Sequence, residues 1–267
     1  MQNNKKIPWQ IELFKFSYMK KEKVNLIKKS IGNIGDNQIV LDIGCRQGVV
    51  SYFIRELGGK WIHSDTEMKT LKTALSILEK NIVQIGENLP FKKKSADIVF
   101  ALDILEHLDN DGLLLDEIKE ILKNNGKIVI STPISGKFFI LNKIKLLFGM
   151  KPEIYGHKRE GYSLKMLKEM LKERDFEIIK ATTYSKFFTE LVEMTLNILF
   201  VKIIKRKKKS QLRTGSISPE SEQELKGNKK VYNIYRIIYP FLRAITLIDK
   251  LLFFKTGYAT FIIAEKR

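Results

Sequence analysis

Two aspartates and two glycines stand at a spacing that could hold a nucleoside. Asp42, Gly44 and Gly48 fall within VLDIGCRQGVV at residues 40–50, and Asp65 ends the next apolar run, 17 residues after Gly48. Glycine lets a turn at the carboxyl end of a strand pass very close to a ligand without a Cβ clash. An acidic side chain ending the following strand can accept hydrogen bonds from both hydroxyls of a ribose. Together these residues describe an adenosyl-binding crevice. A dinucleotide site shares the architecture but needs G-x-G-x-x-G to admit a pyrophosphate at a helix N-terminus. This turn reads Gly44-Cys45-Arg46-Gln47-Gly48, with Arg46 at its middle, which weakens the dinucleotide reading.

Such residues meet only if strands deliver them to one edge. Apolar periodicity predicts a leading helix over 9–30, interrupted by Gly32 and Gly35. Strands are expected at 39–43, 60–63, 82–85, 97–102, 127–131, 177–182 and 258–265. Helices are expected at 49–57, 67–79, 112–122 and 163–174. This alternation is the signature of an α/β fold with a parallel, doubly wound sheet. Residues 137–150 and 186–255 are too long and too apolar to be ordinary connections. Within the second, 205–230 is polar, charged and poor in aromatics, and reads as a mobile linker.

A chain of 267 residues with 44% hydrophobic content can bury a sizeable core, which excludes a wholly disordered protein. No stretch has the uninterrupted apolar length of a spanning helix, and the first residues lack the apolar core of a signal peptide. With Cys45 as the single cysteine, these features fit a reducing cytoplasm. The net charge is +18, and residues 202–267 hold sixteen Lys and Arg against five Asp and Glu. An anionic partner would suit that balance.

Five motifs in order resemble the class I S-adenosylmethionine-dependent methyltransferases of the group that includes quinone-biosynthesis O-methyltransferases. They are VLDIGCRQG at 40–48, HSDTEMKTLKTA at 63–74, ENLPFKKKSADIVFALDILEHL at 87–108, NNGKIVISTP at 124–133 and GHKREGYSLKMLKEMLKERDFEII at 156–179. The resemblance implies a Rossmann-like, doubly wound seven-stranded sheet with a helical insertion before the last strand. The expected organisation is an N-terminal helical segment at 1–35, a cofactor domain at 36–185 plus 256–267, and a basic helical insertion at 186–255. S-adenosylmethionine is the implied cofactor. Asp42, Gly44, Cys45 and Gly48 would line its methionine end and Asp65 its ribose. Thr66 and Met68 would border the adenine, Glu87 and Asn88 would reach the ring or its amino group, and Asp103 completes the cofactor set. Arg46 stands where the family places a central glycine.

Methyl transfer from a sulfonium is an in-line displacement, so positioning does most of the work. A general base is needed only if the acceptor must lose a proton, and His107 and His157 are both candidates. Asp103, Glu106 and His107 resemble an acidic cluster that holds a divalent ion in some quinone O-methyltransferases, but no metal site is assigned. The acceptor is expected to be small or lipid-linked.

In the insertion, Arg236, Arg243 and Lys250 recur every seven residues, close to two helical turns, and form a cationic stripe on an apolar helix. Pro240 is expected to kink or divide that helix. Such segments fit an anionic membrane surface, with a lid or a subunit contact as the alternative. Nucleic acid fits poorly, because the basic residues alternate with long aliphatics rather than with aromatic platforms. A non-catalytic, membrane-associated scaffold that keeps the fold is the rival function, and the intact Asp42 and Asp65 argue against it.

Overall fold

The computed structural model describes residues 8–78, 81–86, 88–134, 140–149, 151, 156–204, 222–227, 229–252 and 255–267, with backbone only at 199–204, 224 and 231. Seven strands form one sheet: β1 (Ile34–Ile43), β2 (Gly58–Asp65), β3 (Ile82–Gln84), β4 (Ala96–Leu102), β5 (Leu122–Pro133), β6 (Phe176–Tyr184) and β7 (Ala259–Lys266). Their order is β3-β2-β1-β4-β5-β7-β6. The pairings are parallel except around β7, which runs antiparallel to both β5 and β6. The chain steps outward from β1 to β3 and then returns to β4 on the other side of β1. The carboxyl ends of β1 and β4 therefore flank a switch point, where open α/β sheets bind ligands.

Helices cover both faces, so central strands read as nearly continuous apolar runs. Alternate residues of β1 feed opposite cores: Leu41 and Ile43 pack with Leu115, Ile118, Leu167 and Leu171, whereas Val40 packs with Ile27, Ile54, Ala74 and Phe100. The helices on those faces are α1 (Trp9–Phe14), α2 (Tyr18–Ile31), α3 (Val49–Ile54), α4 (Met68–Leu78), α5 (Asp111–Ile121) and α7 (Leu164–Lys172), while α6 (Ile140–Leu147) packs through Leu141 with Ile134, Met194 and Tyr258 in a separate cluster.

The expected leading helix is two helices. Ser17 has extended backbone, and its side chain accepts from Lys20 N at 3.4 Å, which caps α2 and breaks the run. Apolar periodicity continues across such a cap and does not reveal it. Ile11, Phe14, Val24 and Ile27 join the second core, so this segment packs on the sheet domain.

Between β6 and β7 lie α8 (Phe187–Ile204), α9 (Glu222–Gly227) and α10 (Lys229–Leu247), the last followed by a 3-10 turn over Ile248–Leu252. Of the expected linker, 205–221 and 228 lie outside the described residues, while 222–227 and 229–230 are helical. Pro240 stands inside α10, which is not divided there. Asp249 ties the ends of this unit together by accepting from Phe188 N at 2.8 Å and Thr189 N at 2.7 Å at the start of α8. Tyr18 fixes α10 to α2, donating to Tyr239 O at 2.7 Å and stacking on its ring at 4.7 Å. Among the described residues no helix is long and apolar enough to cross a membrane.

Candidate active site

The turn after β1 is closed by its own backbone: Gly44 N and Cys45 N both donate to Ser64 O, at 2.8 and 2.9 Å. That closure requires left-handed backbone at Gly44 (φ 79°), Arg46 (φ 50°) and Gly48 (φ 74°). Side chains are excluded as well. A Cβ on Gly44 would lie 2.8 Å from Ile104 Cδ1, and one on Gly48 2.6 Å from Leu78 Cδ1.

Asp65 holds the open side of this turn. It accepts from Arg46 N at 2.8 Å and Glu67 N at 3.0 Å, so its carboxylate joins the glycine turn to the start of α4. A carboxylate offers about four lone-pair sites, which leaves acceptor capacity for two ribose hydroxyls. Asp42 stands behind the turn: only 2% exposed, it accepts from Ser51 Oγ and lies 3.0 Å from His63 Nδ1. Its place is that of a support for the turn. Cys45 is buried, and burial pushes its thiol pKa well up, which leaves it neutral beside the turn. Thr66 and Met68 are exposed just past Asp65, and Asn88 is exposed in the loop after β3. Glu87 lies outside the described residues. A positive-φ turn with no side chain at Gly44 or Gly48 and an acidic residue at its rim fits the methionine and ribose parts of S-adenosylmethionine.

Asp103, at the end of β4, has φ 52° and accepts from Ser131 Oγ at 3.2 Å. It is ion-paired with Lys23, whose side chain is 5% exposed. Burial disfavours charge on Lys23, but Asp103 and Tyr184 outweigh it, and its pKa ends above the ordinary lysine value. The sequence reading missed Lys23, because nothing in an amphipathic helix marks which lysine turns inward.

Beside the turn lies a cavity of about 270 Å³. Arg46, Asp103, Glu106 and His107 form its cofactor-side wall. Ile134, Asn142 and Lys145 come from the end of β5 and from α6, and Glu190 and Glu193 from α8. His157 meets His107 across the cavity, with ring centroids 4.7 Å apart and planes near perpendicular. His107 Nδ1 lies 2.9 Å from Gly156 O. Burial lowers the pKa of both, and for His157 burial and then His107 bring it to about 4, so both imidazoles are neutral at pH 7. Glu106 is 1% exposed, and burial followed by Asp103 pushes its carboxyl up to about 8. The ligand atoms of Glu106, His107 and His157 lie within 4.8 Å of one another, a grouping that could hold a cation. The acidic cluster noted in the sequence, where no metal site is assigned, has Asp103 where His157 stands. Asp103 is instead turned to Lys23, and His157 arrives from a loop fifty residues further on.

The sequence profile described as "Methyltransferase domain" matches residues 41–130. An uncharacterized protein of Methanocaldococcus jannaschii is 31% identical over 157 residues, 59% of this chain and 60% of that one. A ubiquinone biosynthesis O-methyltransferase of Pelagibacter ubique is 30% identical over 131 residues, 47% of this chain and 52% of that one. The chain thus spans between half and three-fifths of these relatives' lengths. Among solved structures, a SAM-dependent methyltransferase of Archaeoglobus fulgidus superposes with a TM-score of 0.56 at 20% identity, over 92% of this chain and 94% of that one, which shows a shared fold. With the profile match falling on the glycine turn, Asp65 and the end of β4, residues 41–130 of this chain match a methyltransferase domain, built on the fold that it shares with S-adenosylmethionine-dependent methyltransferases.

Proposed function

We propose that the protein binds S-adenosylmethionine at the 44–48 turn and transfers its methyl group to a small or lipid-linked acceptor in the adjoining cavity. One observation carries this reading: Arg46 belongs to the turn and also lines the cavity, so the two sites share a wall. The bound cofactor supplies an electrophilic methyl on a sulfonium. The chain supplies position. Asp65 and the glycine turn fix the nucleoside side, and the cavity walls fix the acceptor at attack distance. For a hydroxyl acceptor, a neutral His107 or His157 is available to take the proton.

Calorimetric titration with S-adenosylmethionine and S-adenosylhomocysteine tests the first half. Consumption of S-adenosylmethionine in the presence of lipid and aqueous fractions of cell extract tests the second. Absence of nucleoside binding by the folded protein sinks the reading, whereas binding without turnover on any fraction favours a scaffold.

A second reading places this activity at a lipid surface, supported by one face of α10. Ile234, Ile237, Phe241 and Ile245 recur at helical spacing and are 60%, 72%, 72% and 38% exposed. Arg236 and Arg243 lie on α10 and Lys250 in the 3-10 turn after it, all three exposed, and the Arg236 guanidinium stands 5.5 Å over the Phe16 ring. Apolar insertion, more than the cationic stripe, would then make the contact. Co-sedimentation with anionic vesicles should be lost in Ile237→Asp/Phe241→Asp and only weakened in Arg243→Glu. A wild-type protein that stays in the supernatant at low salt removes the lipid reading and leaves a lid or a subunit contact.

A further inference from the structure

Among the described residues, Glu106 Oε2 is a buried carboxylate oxygen without a hydrogen-bond partner, although the side chain lines the cavity. Desolvating such an oxygen without a donor is uncompensated in the empty cavity. Four further carboxylates line the same space: Asp103, Glu160, Glu190 and Glu193. Lys23 answers Asp103 and Lys145 answers Glu190. Glu193 takes only the long bond from Met19 N, at 3.4 Å. Among the described residues, Arg46 at the turn also lines this wall and Lys20 lies near it, its pKa pushed down by burial and then Arg46. The two imidazoles, with pKa values lowered by burial, bring no positive charge to the wall at pH 7. A chain of net charge +18 therefore gathers carboxylates on the acceptor side of its cavity, one of them without a donor.

We propose that this wall is the binding site for a cationic amine group of the acceptor, with Glu106 as its direct partner and Glu193 as a second carboxylate. With its pKa near 8, Glu106 is mostly a neutral acid in the empty cavity at pH 7; an ammonium brings the N–H donors and the positive charge that favour its ionised form, its proton passing to solvent, and charge-assisted bonds are about twice as strong as neutral ones. A neutral hydroxyl brings a donor without the charge, and an anion is repelled. The rest of the lining, Met19, Ile134, Leu146, Tyr184 and Tyr258, suits a hydrocarbon or aromatic body behind the amine. That this ligand is a methyl acceptor rests on the function proposed above; its charge preference does not.

Three probes of matched size separate these cases: 2-phenylethylamine, 2-phenylethanol and phenylacetate, titrated into the full chain with and without S-adenosylhomocysteine. The amine is expected to bind at least tenfold more tightly than the alcohol, with phenylacetate weaker than both. Glu106→Gln should erase that preference while leaving S-adenosylhomocysteine affinity and 2-phenylethanol affinity in place. Glu193→Gln should lower amine affinity several-fold, which keeps the test open if Glu106→Gln misfolds. Equal binding of amine and alcohol by the wild type overturns the proposal. So does tight binding of Zn²⁺ or Mg²⁺ alone that displaces the amine, since Glu106, His107 and His157 would then belong to an ion. If S-adenosylhomocysteine fails to bind while the amine preference stands, the methyltransferase reading falls and this one survives; the reverse result sinks only this one.

Discussion

Replacing Asp65 by alanine separates the two tasks its carboxylate performs. In the free protein it accepts backbone N–H bonds from Arg46 at 2.8 Å and Glu67 at 3.0 Å, with Thr70 Oγ1 at 3.4 Å as a third, weaker donor. Bonds to a charged acceptor are worth about 1.5–3 kcal/mol each. Arg46 and Glu67 are exposed, so water recovers part of that. A net loss of about 2–3 kcal/mol in unfolding free energy is expected, read as a lower urea midpoint at unchanged slope. In the proposed complex the same carboxylate would face the ribose, and losing it for two hydroxyls should weaken S-adenosylhomocysteine by about 1–3 kcal/mol, or roughly 5- to 150-fold. Asp65→Asn keeps one oxygen acceptor and should fall between the two proteins in both measurements. Calorimetry below the unfolding transition is the assay, because it reads affinity in folded molecules only. Wild-type affinity in a folded Asp65→Ala protein would falsify the ribose assignment. Unchanged stability with weakened binding would show instead that the tether to Arg46 N contributes nothing in solution.

Three further outcomes follow from the same geometry. Gly48→Ala should lower the thermal midpoint, by about 1–3 kcal/mol of stability, because φ is 74° and the new Cβ would lie 2.6 Å from Leu78 Cδ1. Asp103→Ala should destabilise more than Lys23→Met in chemical denaturation. The first leaves a cation with a 5% exposed side chain and no countercharge, at about 3–5 kcal/mol, while the second leaves a carboxylate 43% exposed to water. His157 has a folded pKa of about 4 against an ordinary 6.5, set by burial, then His107 and Arg46 and Lys145, opposed by Asp103. Between those values the unfolded chain binds the proton and the folded chain does not, so this residue makes stability fall as pH drops from about 6.5 to 4, by at most about 3 kcal/mol. His157→Asn should flatten that part of the stability profile, and an unchanged profile would refute the assignment.

The sequence by itself determined the sheet and the glycine turn that Asp65 closes. Strand runs such as 98–102 are apolar throughout because parallel strands are covered on both faces, and that pattern is readable from residue types. The turn was legible for a local reason: Gly44, Gly48 and Asp65 act through backbone geometry and through position at strand ends, which spacing along the chain encodes. The break at Ser17 was hidden, because a single capping side chain competes with an unbroken apolar period. The acceptor side was decided by tertiary structure alone. Glu106 and His107 meet His157 across fifty residues, and Glu190 and Glu193 are brought over the same cavity by α8. Lys23 reaches Asp103 across eighty residues. No periodicity records such meetings, because they depend on how helices outside the sheet close over its carboxyl edge. The apolar face of α10 shows the same limit from the other side: spacing drew attention to the cations, but only packing showed that Tyr235 and Tyr239 face the protein while Ile237 and Phe241 face outward.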